Sequence, residues 1–543
     1  MNVRTLAWAA ALVLLFAVTV LFRFLTLNTG FTNDQYIHLG NAQQMLFGEW
    51  PTRDFLDAGM PLMYVMSALA QKALGNTLFA EAVLVAIAFG LAAVLTAAAV
   101  RELTGSRGLA LAAALLEVVI APRAYGYPKI LVYAVALLLL QRYVTRPTPG
   151  RLMALACGVI IAFLFRHDHG IYLGLGCLLA VWLAPGDDDR PLQAPPTPAR
   201  RMLSFAGLST LLALPYLAFV QFHGGLWPYL QKGLEFRDRE FSRAEYVWPT
   251  LAGDQPLHAV LLYAYWALPI VAAVVLAASR HLPGARTMAA RTAPIVMVAL
   301  LLNSAWVRPP LGARLADAIV PAVMLGAWLA LRAWEARRRW LWRPVAAATA
   351  VLIAAATAST GATVDQLDRA GLLEPLSRWP ASVRDTRAAL EAPHASAVLP
   401  SSAAEALIPF FDYVRRCTSP RSRLLVVGLV PEVSFFAHRP FAGGQVILPA
   451  GYFEAERYQR AVVDKLSRQT VPFVVIPGTS YIDSFDDSFS IVAAHVRQHY
   501  IPLATFGDEP ETKVDVLIDR RLSFPGLDPT TGWPCSTATG ASR

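Results

Sequence analysis

The chain reads Asn33-Asp34-Gln35-Tyr36 shortly after its first hydrophobic run, and continues through Gly48-Glu49-Trp50-Pro51-Thr52-Arg53-Asp54-Phe55 to Ala58-Gly59-Met60-Pro61-Leu62. Apolar side chains recur at helical spacing on both sides of this turn, at Tyr36, Leu39, Ala42 and Met45 and at Leu62, Met66, Leu69 and Ala73. Such spacing gives each helix one apolar face, toward lipid or toward a core. Pro61 suits the first turn of the second helix and Gly75 suits its end. The stretch therefore predicts two ordered helices, with Asp34 at the start of the first and further acidic side chains in the loop between them.

The composition is that of a membrane protein. Hydrophobic residues make up 56% of the chain and charged residues 16%, with a mean hydropathy of +0.45, whereas soluble domains carry about 25% charged residues. A helix needs about 20 apolar residues to cross a bilayer. We predict eleven spans, the third, fifth and sixth of them short, near 6–27, 77–100, 108–121, 127–142, 151–165, 170–184, 202–221, 258–279, 292–306, 316–332 and 343–360.

The basic residues predict an orientation. Lys and Arg are denser in the short loops on the side of Arg4, and such loops stay in the cytoplasm. The N-terminus is therefore predicted inside, with the loop 28–76 and the C-terminal part outside. Arg exceeds Lys and the external regions hold no Asn-x-Ser/Thr acceptor, which favours a bacterial inner membrane. Topology accounts for the net charge of +9, and a nucleic-acid partner is not expected because no basic run is interleaved with aromatics.

Residues 361–543 have a different pattern, so we predict two domains, 1–360 in the membrane and 361–543 outside. The helix-like stretches Ser402–Arg416 and Glu454–Arg468 alternate with apolar runs at 424–427, 473–476 and 514–518. This alternation predicts a small α/β domain with a partly parallel sheet. Its role is expected to be ancillary, because it holds no phosphate-loop fingerprint.

Two further features of this C-terminal domain concern its end. The tail from about Ser523 is rich in Pro, Gly, Ser and Thr, so it is expected to be irregular or mobile. Cys417 and Cys535 are the two cysteines predicted outside, and an oxidising compartment would permit a disulfide between them.

The first loop and the spans around it resemble the GT-C superfamily of polytopic glycosyltransferases, and in particular the bacterial relatives of protein mannosyltransferases and aminoarabinose transferases. The resemblance covers residues 1–180 best. It implies transfer of a sugar from a polyprenyl-phosphate donor with inversion, and it implies that Asp34 is the general base, because the family carries an acidic residue at this place. That residue is often the first of an Asp-Glu pair, and here Gln35 leaves the pair incomplete. The local alternative is a helix start, with Thr32 as cap and Gln35 closing a capping box.

Other carboxylates compete with Asp34. Asp54 and Asp57 lie in the same loop and are candidates for the base or for substrate contacts, although Arg53-Asp54 also reads as a surface ion pair. The resemblance places a second-loop acidic residue near Glu117. The alternative for Glu117 is a structural ion pair with Arg123 or Lys129, since an unpaired carboxylate in a membrane is costly.

A dense polar cluster, Arg166-His167-Asp168-His169-Gly170, separates the fifth and sixth spans. Two His and an Asp could bind a metal, but ligands this close in a short turn would need others from distant loops, so no metal or other cofactor is predicted. Anion recognition fits better, because Arg offers a bidentate fork to a phosphate. The cationic candidates on the external face are Arg123, Lys129, Arg166 and Arg308, with Asp168 beside them as a further substrate-binding candidate.

The functional prediction is an inverting glycosyltransferase of the bacterial cell envelope. Its partners would be a polyprenyl-phosphate sugar, membrane lipid and a glycan, lipid or protein acceptor. The alternatives are a transporter or flippase of lipid-linked intermediates, which would place ionisable residues at mid-membrane, and a glycan ligase or polymerase. The long loop 221–257 reads as a solvated amphipathic helix, and by position in the resembling family it would close over the carrier.

Overall fold

The computed structural model describes residues 3–27, 31–120, 123–185, 197–243, 248–252, 256–305, 314–336, 348, 364–368, 371–393, 402–509 and 512–536. Contacts divide the chain into two compact units, each built from three segments. The first, called here the membrane unit, consists of Met1–Thr26, Val83–Phe219 and Ala244–Arg384. The second, called the loop unit, consists of Leu27–Ala82, Val220–Arg243 and Asp385–Arg543. The predicted boundary at residue 361 stays a prediction, and the contacts group the chain differently.

The predicted spans fall on helices. These are α1 (Val3–Thr26), α4 (Leu78–Thr104), α5 (Arg107–Val119), α6 (Tyr127–Thr145), α7 (Pro149–Phe165), α8 (His167–Leu183), α9 (Pro198–His223), α11 (Pro256–Ala278), α12 (Ala285–Ser304) and α13 (Ile319–Ala336). Within the described residues seven helical segments are long and apolar enough to cross a membrane. The helices α5, α7 and α8, of 13, 17 and 17 residues, are short, as predicted for the third, fifth and sixth spans. The eleventh predicted span, 343–360, lies outside the described residues except for Ala348.

The first loop forms the two predicted helices, α2 (Asn33–Leu46) and α3 (Pro61–Leu74), both in the loop unit. Tyr36, Leu39 and Ala42 are fully buried, so the apolar face of α2 points to a core. The predicted apolar face of α3 is turned outward instead, with Leu69 54% exposed. As expected, α3 begins at Pro61 and is followed by Gly75, which has a positive φ of 99°.

The rest of the loop unit contains α10 (Leu226–Arg243) and the C-terminal α/β part. Its helices are α14 (Trp379–Glu391), shared with the membrane unit, α15 (Ser402–Ala406), α16 (Ile408–Cys417), α17 (Glu432–Phe436), α18 (Glu456–Arg468), α19 (Thr479–Ser488) and α20 (Ser490–His499). Its strands are β1 (Leu424–Val426), β2 (Phe473–Pro477), β3 (Tyr500–Phe506), β4 (Val514–Asp519), β5 (Gly526–Leu527) and β6 (Pro534–Cys535). The four-stranded sheet has the order β1-β2-β4-β3, with β1 and β2 parallel and the other pairs antiparallel. The predicted partly parallel sheet is therefore confirmed.

The tail predicted to be irregular or mobile contains two short strands in its described part. β5 and β6 pair with each other, and Cys535 is joined to Cys417 by a disulfide. Asp528, 1% exposed, pairs with Arg416 at 3.0 Å. A disulfide and an ion pair of the buried Asp528 with the partly exposed Arg416 thus connect this segment to α16.

Candidate active site

Asp34 lies exposed in the first turn of α2. The predicted capping box is wrong, because Thr32 makes no side-chain capping bond. Gln35 turns to the opposite side, where its side-chain amide donates to Glu81 Oε1 at 2.5 Å. The residue that leaves the acidic pair incomplete therefore anchors the helix, while the carboxylate before it faces outward, where the positive end of the helix dipole favours a negative charge.

Glu81 is a buried carboxylate that the sequence analysis missed. It lies in the first turn of α4, is 0% exposed, and accepts a second hydrogen bond from Ser67 Oγ of α3 at 3.1 Å. It thereby joins α2, α3 and the start of α4. The available signal was a single acidic residue near the start of an apolar span, which is costly unless it is partnered.

Asp54 has the structural role that its neighbour Arg53 indicated. Its Oδ2 accepts from the Trp50 amide at 2.8 Å and from Arg53 Nε at 2.7 Å. Partial burial opposes ionisation, but these hydrogen bonds outweigh it and hold the pKa of Asp54 below its usual value. Asp54 therefore stabilises the conformation of the loop. A carboxylate with a lowered pKa is a weak base.

Asp57 is held on both oxygens. Its Oδ1 accepts from the amides of Gly59 and Met60, at 2.8 and 3.1 Å, and its Oδ2 accepts from Tyr229 Oη of α10 at 3.0 Å. These bonds join the first loop to α10 and satisfy the carboxylate with protein donors. Asp57 is thereby less suited than Asp34 to take a proton from a substrate.

A cavity of about 120 Å³ opens beside Asp57 within the loop unit. The polar side chains around it are those of Thr52, Asp57, Tyr229, Lys232, Gln445, Tyr458 and Lys465, and Phe55 and Phe453 are among its apolar walls. Thr52 has a positive φ of 68°, which is uncommon for a residue other than glycine. The sequence analysis identified only Asp57 of this set, because the others come from segments that are far apart in the chain.

The membrane unit brings together four of the predicted site residues. Arg166 Nε lies 2.9 Å from Asp168 Oδ1, and Lys129 Nζ lies 2.5 Å from Asp317 Oδ2. Arg123 donates to Tyr125 Oη at 2.9 Å, and the Lys129 ammonium lies 5.3 Å from the centre of the same ring. Lys129 also interacts electrostatically with both Arg166 and Asp168. We call these six residues the cationic cluster, since it holds three positive and two negative side chains.

The α7–α8 turn that carries this cluster is tight. A Cβ at Gly170 would collide with the backbone of Phe163, so only glycine allows the two helices to approach this closely. His169 Nδ1 contacts Tyr133 Oη at 2.8 Å, and His167 Nδ1 contacts the Phe163 carbonyl oxygen at 2.7 Å. Both imidazoles thus have protein partners, and the described residues contain no group of three or more ligands suited to a metal ion.

Glu117 does not have the predicted partners. It is 3% exposed and interacts electrostatically with Arg23, whose guanidinium donates to the Val118 carbonyl oxygen at 2.7 Å. Lys129 pairs with Asp317 instead, and Arg123 with Tyr125. This electrostatic interaction between α1 and α5 favours a structural role for Glu117. Arg308 lies outside the described residues.

Fold and site together define a polytopic α-helical membrane protein with a C-terminal α/β part. No family model and no curated protein matches the chain. Among solved structures it is similar to ArnT from Cupriavidus metallidurans bound to undecaprenyl phosphate, over 94% of this chain and 97% of that one, with 12% identity and a TM-score of 0.49. The apo state of ArnT matches over 94% and 98%, with 12% identity and a TM-score of 0.46.

Proposed function

We propose that this chain is an inverting glycosyltransferase that moves a sugar from a polyprenyl-phosphate donor to an acceptor hydroxyl at the external face of a bacterial inner membrane, with Asp34 as general base. The observation that carries the proposal is the exposed carboxylate of Asp34 at the start of an ordered helix. This helix follows the first span, as the GT-C resemblance requires, and Gln35 and Glu81 hold it in place.

In the proposed reaction the acceptor hydroxyl attacks the anomeric carbon while Asp34 takes its proton. The bond from that carbon to the phosphate oxygen breaks, and the carrier phosphate leaves with the electron pair. One displacement inverts the anomeric centre and needs no covalent intermediate. The cationic cluster of the membrane unit is proposed as a binding site for the carrier phosphate, because guanidinium and ammonium groups are strong donors to anionic oxygens.

The placement of the ionisable side chains favours transfer over transport. Arg23 and Glu117 lie near the last residues of their helices, Lys129 near the start of α6, and Arg166 at the turn between α7 and α8. A transporter is expected to carry such groups at mid-membrane, along a path. In the described helices these groups instead lie at helix ends.

The composition of the loop unit supports the proposed orientation. Its three segments must lie on one side of the membrane, so the chain must cross an even number of times between them. Six predicted spans separate the first two segments and four separate the last two, which satisfies this condition. The Cys417–Cys535 disulfide needs an oxidising compartment, so that side is proposed to be extracytoplasmic.

The test is transfer by purified Asp34→Asn protein with a polyprenyl-phosphate sugar donor. Asn begins a helix about as well as Asp but is not a base, so we expect normal insertion, unchanged donor binding and a rate lower by about 10²–10⁴-fold. Asp54→Asn and Asp57→Asn are the matched controls and should lose less. Near wild-type transfer by Asp34→Asn, with the loss in either control instead, would move the role to that carboxylate. Movement of lipid-linked sugar across vesicles by the wild type without transfer would favour the transporter.

A further inference from the structure

The cavity beside Asp57 contains two ammonium groups that form no direct ion pair with a carboxylate of the described residues. Lys232 and Lys465 line it from α10 and α18. Lys465 donates to the carbonyl oxygen of Asp54, and Lys232 Nζ lies 5.9 Å from the centre of the Tyr458 ring. Neither lysine forms an ion pair with a carboxylate of the described residues. The charges of Glu49 and Asp54 act on Lys465, and that of Glu235 on Lys232, without a direct ion pair.

The carboxylates near the cavity have hydrogen-bond or ion-pair partners other than the two lysines. Asp57 is satisfied by Tyr229 and two backbone amides. Glu235 accepts from Tyr458 Oη at 2.6 Å and pairs with Arg457. Glu49 pairs with Arg423. Glu49 and Glu235 thus have cationic partners of their own, whereas Asp57 has neutral donors and keeps its negative charge at the cavity wall.

The fold also places the lysines close together. Gly444, with a positive φ of 77°, leaves room for the Lys465 ammonium, which a Cβ at this position would meet. Burial, and then the charges of Lys232 and Arg423, lower the pKa of Lys465, while Glu49 and Asp54 act in the opposite direction. Burial and Arg457 likewise lower the pKa of Lys232 against the effect of Glu235. A bound anion would offset both the burial and the mutual repulsion.

We propose that this cavity binds an anionic group, a phosphate or a carboxylate, of a water-soluble ligand or soluble part of a ligand, with Lys232 and Lys465 as its charged donors. Phe55, Phe453 and the Tyr458 ring would cover an apolar or sugar face next to that group. The site shares no residue with the cationic cluster of the membrane unit, and its occupation does not depend on the proposed transfer reaction.

The test measures binding of inorganic phosphate to the full-length protein in nanodiscs of neutral phosphatidylcholine, by line broadening in phosphorus NMR. Phosphate should bind, glucuronate should compete, and glucose should not. Lys465→Gln and Lys232→Gln should each weaken binding about 10-fold or more, the scale of a charge-assisted hydrogen bond. Lys232→Arg keeps the charge and should retain binding. The matched control is Lys72→Gln, an exposed lysine in the last turn of α3 of the same unit, which should bind as the wild type does.

Several outcomes would overturn the proposal. These are absence of phosphate binding by the wild type, equal competition by glucose, and Lys232→Gln and Lys465→Gln variants that bind as tightly as Lys72→Gln. Displacement of phosphate by equimolar undecaprenyl phosphate, or loss of binding in discs containing phosphatidylglycerol, would assign the cavity to a lipid headgroup and exclude a soluble ligand. Formation of the Cys417–Cys535 disulfide in every variant checks that the unit has folded.

Discussion

Glu432 is a buried carboxylate of the loop unit for which the proposed reaction has no use. It is 0% exposed at the start of α17, and neither of its oxygens has a hydrogen-bond partner among the described residues. Burial raises its pKa from 4.5 to about 7. Between these values the folded protein holds a proton that the unfolded chain does not. The contribution of this bound proton to the free energy of unfolding is therefore complete below about pH 4.5 and is lost as the pH rises toward about 7.

The first prediction is that Glu432→Gln makes the free energy of unfolding less dependent on pH. An amide is neutral at every pH, so the variant should be more stable than the wild type at about pH 8, by up to about 3 kcal/mol. Near pH 5 the two should melt alike. Thermal unfolding of both proteins from about pH 5 to about pH 8 measures the difference, and parallel curves would show that Glu432 is not buried as described.

The second prediction concerns Arg166, the cluster member proposed to contact the carrier phosphate. Arg166→Ala should weaken donor binding by about 1.5–3 kcal/mol, the scale of a hydrogen bond to a charged group. Because Arg166 pairs with Asp168, the change also leaves a carboxylate without its partner, so Asp168→Asn and the double variant are required controls. If the double variant restores donor affinity, Arg166 acts only by neutralising Asp168.

The residue types of the polar clusters could be read from the sequence, but the partners of these residues could not. Glu117 was expected to pair with nearby cations and instead lies beside Arg23, while Lys129 bonds Asp317, 188 positions away in the chain. Spacing within one helix carries no information about which of ten other helices packs against it. Asp34 was predicted because the family resemblance names its place, and the cavity lysines were not predicted because no local motif marks them.

At the scale of elements, α10 is fastened to the C-terminal part by polar contacts. Arg239 pairs with Glu454 at 2.8 Å, and Glu235 accepts from both Arg457 and Tyr458. The helix α10 is therefore bound to the C-terminal part, whereas its sequence predicted a solvated amphipathic helix. Its apolar Trp227, 70% exposed, remains available to lipid.

We therefore predict that salt loosens α10. Exposed ion pairs weaken as ions screen them, so amide exchange across residues 226–243 should speed up several-fold in high salt and in Glu235→Gln. The exposed pair Arg387–Glu391 of α14 offers a control, since Glu391→Gln should leave this exchange unchanged. If amide exchange in α10 does not change with salt, apolar packing rather than ion pairs holds the helix in place.

The disulfide leads to a further prediction for the segment with β5 and β6. It closes a separation of 118 residues, and in the chain-entropy model such a loop contributes up to about 5 kcal/mol. Cys535→Ser should therefore lower the unfolding temperature of the loop unit and make the segment after residue 523 susceptible to protease. Cys157→Ser, in α7, should change neither. Equal protease resistance with and without the bridge would indicate that Asp528 and Arg416 suffice.

Periodicity and hydropathy located helices and strands well because both report local burial. The ten spans within the described residues each fall on a helix, and β1, β2 and β4 lie on the predicted apolar runs. The strand β3 was not predicted because it contains Pro502 and buries only Tyr500, and the register shifts beside that proline. The contacts of the tail were not predicted because the partners of Asp528 and Cys535 lie 112 or more positions away in the chain.

At the scale of the whole molecule, the predicted topology can be tested by labelling. In a background without Cys157 and Cys177, an impermeant thiol reagent should modify Asp385→Cys but not Arg146→Cys in intact cells. Both positions are exposed, so access to the compartment decides the result. The reverse pattern would place the disulfide-bonded part in a reducing compartment and contradict the orientation.

The loop unit is assembled from three stretches that the ribosome delivers at different times. Residues 27–82 emerge first, and their partner stretch 385–543 emerges last, after more than half of the chain has been made. Domains normally fold as their sequence appears, but here the α2 and α3 region must wait for its core while the intervening helices enter the bilayer. Tyr36, fully buried against Phe435 and Phe436 in the finished protein, would spend that interval uncovered. A truncated or stalled chain would therefore expose an incomplete surface to chaperones and proteases, which gives the cell a means of recognising unfinished copies.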